Sequence, residues 1–180
     1  MPAVGLDLDA WLADPQVRTH HRHPARADAE RLWDCAKTVK LCDAPTLGAV
    51  VRWRIPRTPR DLPFHELFRR YPFTVLAEGE HWSVSGLCGR VWTLQRDYPR
   101  VDGPDDFLGW QEPGTVRVLF AHWVQPARAG HTALVSESRV QPVDRLARAR
   151  MRALWTVVGG FERFIGGEAL KVAARRAEQA

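Results

Sequence analysis

The chain lacks several features that would mark a protein class directly. Only three of its 180 residues are cysteines, Cys35, Cys42 and Cys88, and their spacing contains no CxxC pair. Such sparse, unpaired cysteine use favours a reducing compartment. No apolar run approaches the ~18 residues that cross a bilayer, and the first residues lack the basic and apolar segments of a secretory signal. We therefore expect a cytoplasmic protein with no membrane span.

Sequence motifs for catalysis or metal binding are also scarce. The chain has no G-x-S-x-G nucleophile elbow, phosphate-binding loop or dinucleotide fingerprint. On a strand, His21 and His23 face one side and His20 the other, so at most two of these rings could converge on a metal ion. His65 begins a pattern typical of zinc proteases, but Arg69 stands where the second histidine belongs. We expect no cofactor and no bound metal.

The charge distribution argues against nucleic acid as a partner. The net charge of +5 comes from 26 basic residues, nearly all arginine, spread along the chain rather than gathered in a stripe or a recognisable reading module. The composition, 45% hydrophobic and 26% charged, is that of an ordinary globular protein. The length fits one domain, which we place at residues 16–180 after a lead-in at residues 1–15. Nothing in the sequence indicates the oligomeric state.

Periodicity predicts a strand, two short helices and then an antiparallel sheet. A strand over residues 16–23 precedes a helix that Asp28 caps, and a second helix begins near Pro45. After a proline-rich loop, two β patterns flank Gly79 and Glu80, which we take as a hairpin turn. That turn would place Phe73, Val75, Trp82 and Val84 on one face of the sheet. Trp92 would lie on the following strand.

The last hairpin, built from alternating runs at residues 116–124 and 132–140, predicts an inner face with spare room. A five-residue loop would pair Arg117 with Glu137 across the strands. The same register turns five residues inward: Val118, Phe120, His122, Leu134 and Ser136. Small hydroxyl side chains on a core face leave space, as a cavity wall requires. The alternative is that Ser136 and Ser138 merely accommodate a bulky helix residue such as Trp155.

A long amphipathic helix fills the C-terminus from Asp144 onward, and its apolar stripe includes Trp155. Glycine pairs at residues 159–160 and 166–167 predict a kink or a short break in it. The fold class we predict is α+β, with a curved antiparallel β-sheet wrapped around the long C-terminal helix and a cavity between them.

Several segments resemble a known family. They are residues 86–92, Phe107 with residues 112–114, residues 134–140, the pair 154–155, and the closing helix at residues 170–178. With the order of elements, they make nearly the whole chain similar to small bacterial members of the START-like, or SRPBCC, superfamily. Its helix-grip fold serves polyketide cyclases and lipid-transport proteins. The resemblance implies an apolar cavity under the C-terminal helix, and it carries over no catalytic residues.

Three functions are compatible with these patterns. The first is binding of an apolar small molecule, lipid-like or polyketide-like, in the cavity. The second is a cyclase or dehydratase that uses the same cavity, with His122 as proton shuttle and Ser136 assisting. The third is an interaction protein whose cavity is filled by Trp82, Trp92 and Trp155. For the first, the predicted ligand-binding residues are Phe73, Val75, Trp82, Val84, Trp92, Val118, Phe120, His122, Leu134, Ser136 and Trp155.

Overall fold

The computed structural model describes residues 6–93, 98–127 and 131–179, apart from the side chains of residues 161–165. These ranges form an α+β fold around one five-stranded antiparallel sheet in the order β1-β5-β4-β3-β2. The predicted fold class, an open curved antiparallel sheet with a C-terminal helix, is confirmed. The strands are β1 (Val17–Ala25), β2 (Thr74–Gly79), β3 (Trp82–Gly89), β4 (Val116–Pro126) and β5 (Thr132–Pro142).

The described ranges contain six α-helices and one short 3-10 turn, Leu41–Asp43. Asp28 caps the first helix by accepting a 2.8 Å hydrogen bond from the amide of Arg31. Pro45 opens the second helix, where its missing N–H costs nothing. None of these helices is both long and apolar enough to cross a membrane. They are α1 (Ala29–Thr38), α2 (Pro45–Arg54), α3 (Phe64–Leu67), α4 (Pro104–Gly109), α5 (Arg145–Ile165) and α6 (Glu168–Gln179).

The C-terminal helical segment is divided in two. Helix α5 continues through the glycine pair at residues 159–160, and the break falls at residues 166–167, between α5 and α6. Helix α6 packs against β1, β5 and α1, whereas β5 is the only strand with which α5 has more than marginal contact among the described elements. The sheet therefore grips the last twelve residues of helix rather than the segment that carries Trp155.

Both faces of the sheet are covered, because apolar side chains alternate to either side of the strands. The first face packs against α1, α3 and α6. The second face packs against α4 and residues 6–12 of the predicted lead-in, where Leu12 is only 1% exposed. Under this N-terminal segment Glu137 and Arg139 are buried, and their side chains are joined at 2.7 Å. Residues 1–5 lie outside the described ranges.

The β2–β3 hairpin turns one residue later than predicted. Gly79 pairs with Trp82, so Glu80 and His81 form the turn. Moving the turn by one residue changes the pairing by two residues, since Ala77 lies opposite Val84 rather than Trp82, and an even shift preserves the face of each side chain. The sequence does not predict the bulge at Leu76, which places Phe73 and Val75 on the opposite face from Ala77. Trp82 and Val84 consequently lie on the second face, and Ser83 lies on the first.

The β4–β5 hairpin differs from the prediction by four residues in register. Glu137 pairs with Ala121, and Arg117 lies opposite Gln141, so the predicted ion pair between Arg117 and Glu137 is wrong. Glu137 is bound instead by Arg18 and Arg139. An even shift preserves the face of each side chain. The inward set predicted for this hairpin therefore keeps its face although every partner has changed.

Candidate ligand-binding cavity

A cavity of about 350 Å³ lies between the first face of the sheet and the helices that cover it. Its floor comes from all five strands, and its roof from α1, α2, α3 and α6. Helix α6 is tied to α2 above the cavity, because the amide of Leu47 donates a 2.7 Å hydrogen bond to the carboxylate of Glu168. These elements are far apart in the chain, so the cavity exists only when the whole domain has assembled.

A row of polar side chains crosses the cavity floor. Ser83 on β3 is paired with His122 on β4, His122 with Ser136 on β5, and Ser136 with His21 on β1. All four side chains line the cavity. These small or flat groups leave the volume that larger aliphatic residues would have filled. The hydroxyl of Ser136 thus faces the cavity, within a polar row that spans four strands.

The next row holds a fixed polar pair beside an aromatic ring. Ser138 and Thr19 share a hydrogen bond, with 2.6 Å between their hydroxyl oxygens. Phe120 is paired with Ser138 on one side and with Ser85 on the other. Because Ser138 and Thr19 satisfy each other, the polar groups of this row are less available to a ligand than those of the row that contains His122.

Aromatic rings form one wall of the cavity. Phe68, directly after α3, lies 5.1 Å from Phe73, 5.2 Å from Phe120 and 4.8 Å from His122 between ring centroids. Phe73 also meets Phe120 edge to face at 5.5 Å. These are distances of favourable aromatic pairs. The contacts hold the His122 ring in place while one side of it remains open to the cavity.

His122 is enclosed by protein, and the accessible surface it keeps faces the cavity. Burial lowers the pKa of His122 to about 4, and the nearby His65 contributes to the same shift. The pKa of His65 is also lowered, first by burial and then by Arg69. Both rings are therefore neutral at pH 7, and each presents one donor and one acceptor nitrogen.

Six of the eleven residues predicted to bind a ligand line the cavity: Phe73, Val75, Phe120, His122, Leu134 and Ser136. Five others do not line the cavity. Trp82 and Val84 lie on the second face, and Val118 is buried on the first face beyond the end of the cavity. Trp92 follows β3 in a turn, where the guanidinium of Arg150 lies 5.9 Å from its ring. Trp155 lies on α5, against Gly159.

The helical side of the cavity is what the sequence reasoning missed. Trp33 on α1, Leu47 on α2, His65 on α3 and Leu170 on α6 all line the cavity. The apolar spacing of α1 and α2 is visible in the sequence. Nothing in a helix's own periodicity says which other element its apolar face will meet, so these residues can be assigned to a core but not to a cavity.

Neither a reactive thiol at Cys88 nor a metal site is found among the described residues. Cys88 is buried on the second face, and burial raises the pKa of its thiol to about 12. It is therefore protonated at neutral pH and is no nucleophile. Within the described ranges, no three histidine, cysteine, aspartate or glutamate side chains come together as a metal site. None of Trp82, Trp92 and Trp155 fills the cavity.

Comparisons with known proteins give only loose structural similarity. No family model and no curated protein matches the chain. A hypothetical protein from Helicobacter pylori aligns over 98% of this chain and 97% of its own, with 7% identity and a TM-score of 0.42. A protein from Thermus thermophilus aligns over 89% and 97%, with 13% identity and a TM-score of 0.34. The Zhui aromatase/cyclase from Streptomyces sp. R1128 aligns over 91% and 94%, with 13% identity and a TM-score of 0.34.

Proposed function

We propose that the protein is a START-like binder of one apolar small molecule, held in the cavity between the sheet and the helices. The observation that carries this proposal is the cavity itself. Its volume of about 350 Å³ falls within the range of small-molecule sites. The driving force is burial of apolar surface, at roughly 25 cal/mol per Å². The aromatic wall of Phe68, Phe73 and Phe120 supplies apolar surface for this contact.

The polar row on the floor supports a ligand that carries one polar group. Ser83 and Ser136 flank His122, and together they offer hydroxyl and imidazole donors and acceptors at one place in a mainly apolar chamber. A few polar groups converging on an apolar pocket orient a ligand and provide specificity. A lipid-like or polyketide-like molecule with a hydroxyl or carbonyl near its middle or end fits this arrangement.

The test is a titration with N-phenyl-1-naphthylamine, an uncharged probe that fluoresces in apolar surroundings. We expect saturable binding of one probe per chain. Ser136→Leu places a larger side chain on the cavity floor and should weaken binding about tenfold or more, since it removes space rather than structure. Thr156→Leu, on the exposed side of α5, is the matched control and should bind as the wild type does. Unchanged binding by Ser136→Leu would refute the proposal.

A cyclase or dehydratase is the second candidate, and the position of His122 is the observation that favours it. A neutral imidazole inside a substrate-sized cavity can accept a proton from a bound molecule, and the hydroxyl of Ser136, on the paired position, can donate a hydrogen bond to it. However, a base works best with a pKa near the working pH, and a pKa of about 4 makes His122 a weak one. This weakness is why binding stands first.

The two candidates differ in what His122→Ala does. For an enzyme, the variant should lose turnover of a cyclisable polyketone while its affinity for N-phenyl-1-naphthylamine stays within about threefold of the wild type. Equal loss of turnover and affinity, or no turnover by the wild type, would count against the enzyme. The binding proposal requires no turnover in any variant.

A further inference from the structure

A second cavity, of about 330 Å³, lies beside the first, and three of its lining residues are arginines: Arg54, Arg57 and Arg70. Tyr71 and Tyr98 add two phenol rings, and no carboxylate is among the described lining residues. The two cavities share a wall, because Arg54, Ile55 and Leu67 line both. The second cavity is therefore a basic chamber directly adjoining the apolar one.

Arg54 is only partly satisfied in this wall. Its Nη2 donates to the hydroxyl of Tyr98 and, at 3.4 Å, to the carbonyl of Val91. Its guanidinium also lies over the Tyr98 ring, 5.3 Å from the centroid. Its Nη1 is buried and has no hydrogen-bond partner among the described residues. A buried donor on a charged group that is left unpaired costs more than a neutral one, so this nitrogen marks a place where an acceptor belongs.

Some buried or half-buried arginines of the described ranges have a carboxylate partner, whereas Arg31 and Arg117, like Arg54, form no described ion pair. Arg139 binds two carboxylates, those of Glu137 and Asp9. Arg69 is paired with Glu78, and Arg176 with Asp43. Neither Arg54, Arg57 nor Arg70 forms a described ion pair. The half-buried Arg54 and the exposed Arg57 and Arg70 thus line one chamber, and no carboxylate of the described residues is paired with them.

The hydroxyl of Tyr98 adds a second donor. It accepts a hydrogen bond from Arg54, and its own proton has no acceptor among the described contacts. The hydroxyl of Tyr71, in contrast, already acts as both donor and acceptor. It donates to the carbonyl of Tyr98 at 2.9 Å and accepts from the Tyr98 amide at 3.1 Å. Tyr71 therefore positions Tyr98, and Tyr98 with Arg54 presents two neighbouring donors to one acceptor.

We propose that Arg54 binds an anionic oxygen group, a carboxylate or a phosphate, and that this group belongs to a ligand whose apolar body occupies the first cavity. Arg54 and Tyr98 hold the anion by hydrogen bonds, and Arg57 and Arg70 stabilise its charge. The planar guanidinium matches such oxygens in pairs. This inference rests on the proposed function and narrows its ligand class to amphipathic anions.

The experiment compares two probes that share one aromatic body. 1-Anilinonaphthalene-8-sulfonate carries a sulfonate, which stands in for the anionic group, and N-phenyl-1-naphthylamine carries no charge. Their affinities are measured for the wild type, Arg54→Met, and Arg152→Met, an exposed position on α5 that matches the change in net charge. We expect Arg54→Met to weaken the sulfonate probe about tenfold or more, and to weaken the uncharged probe far less, although Arg54 also lines the first cavity. Arg152→Met should alter neither.

A second experiment, on the wild type alone, tests whether the site accepts a free anion or only an anion attached to an apolar body. Inorganic phosphate is added to the wild type at constant ionic strength. Displacement of the sulfonate probe alone supports an Arg54 site that also admits free oxyanions. No displacement, together with the Arg54→Met effect, supports an anion that must be attached to an apolar body. A sulfonate affinity that depends on neither Arg54 nor phosphate overturns the inference.

The probes also separate this inference from the proposed function. If neither the uncharged probe nor the sulfonate binds the wild type saturably, the apolar cavity is not a binding site and both fail. If the uncharged probe binds but Arg54→Met affects both probes equally, the proposed function stands and the anion site falls. If only the sulfonate probe binds and needs Arg54, the anion site stands without an apolar carrier.

Discussion

His122 connects the cavity to the pH dependence of stability. Its pKa is about 4 in the folded protein and about 6.5 in an unfolded chain. Between these values the unfolded state binds more protons, so His122 destabilises the fold as the pH falls from 6.5 towards 4. The cost at pH 4.5 is on the order of 2 kcal/mol.

His122→Gln should remove that part of the pH dependence. Urea unfolding of both proteins at pH 7 and pH 4.5 measures it, and we expect the wild type to lose about 2 kcal/mol more than the variant between these values. His65 has a lowered pKa as well, but it is present in both proteins and largely cancels in the comparison. The same loss in both proteins would show that His122 is not buried in its neutral form.

Arg139 is the residue whose loss should damage the fold most without touching the cavity. Its side chain is buried, and it donates to Glu137 at 2.7 Å and to the carbonyl of Leu12 at 2.7 Å. Arg139→Met leaves the buried Glu137 with one partner fewer and releases the N-terminal segment. We expect a loss of about 3 kcal/mol in the free energy of unfolding, measured by urea denaturation.

The control for Arg139 is an exposed ion pair. Lys37 and Asp34 are 2.7 Å apart on α1, and both side chains are more than one-third exposed. Lys37→Met should cost less than about 0.5 kcal/mol, because solvent screens such pairs. Comparable losses in the two variants would mean that the network of Arg139 is no more than a surface feature.

At the scale of elements, α2 depends on a close approach that only glycine permits. A Cβ on Gly48 would lie 2.9 Å from the carbonyl carbon of Leu41, and closer still to its oxygen. Gly48→Ala should therefore cost about 1–3 kcal/mol, through displacement of α2 from the turn at Leu41–Asp43. Gly160→Ala is the matched control, since no described atom outside its own helix backbone and chain neighbours lies within 4 Å of its Cβ position. It should stabilise α5 by about 0.5–1 kcal/mol.

Thermal or urea unfolding of the two alanine variants gives the measurement. Opposite signs are expected, with Gly48→Ala below the wild type and Gly160→Ala above it. If Gly48→Ala were as stable as the wild type, α2 would lie farther from the Leu41 carbonyl than it does in the structure.

Element types are largely predictable from the sequence, and register is not. Alternation indicates both hairpins, and the face of each β4 and β5 residue survives a four-residue error because side chains repeat every two residues. In the β2–β3 hairpin the two-residue error in pairing also keeps each face, but the unpredicted bulge at Leu76 puts Val75 on the opposite face from Trp82 and Val84. Turn chemistry at Gly79 and Glu80 is too ambiguous to place the turn within one residue.

The position of the break between α5 and α6 is also not predictable from the local sequence. Two glycine pairs carry the same local signal, yet α5 runs through residues 159–160 and ends before 166–167. The tertiary contacts of α6 with α1 and β1 decide between them. The prediction that Trp155 lines the cavity depends on one continuous helix lying on the sheet. Packing, rather than propensity, determines which helical segment is gripped.

On the scale of the whole molecule, one sheet separates two different cores. The second face is filled tightly, with Val84, Leu119 and Val135 fully buried. The first face carries serines and histidines in the middle of its apolar cluster and keeps a cavity there. Larger apolar side chains in place of Ser83 and Ser136 would fill the cavity and stabilise the domain. The asymmetry between the two faces is the main physical argument for a ligand.

The most direct test of that argument locates a bound molecule by nuclear magnetic resonance. With methyl-labelled protein and unlabelled N-phenyl-1-naphthylamine, we expect intermolecular Overhauser contacts to the methyl groups of Val75, Leu134 and Leu170, which line the cavity. The methyl groups of Leu119 and Val135, buried on the second face, should show none. Contacts to the second face, or to exposed methyl groups such as those of Val157, without contacts to Val75, Leu134 and Leu170, would contradict the account.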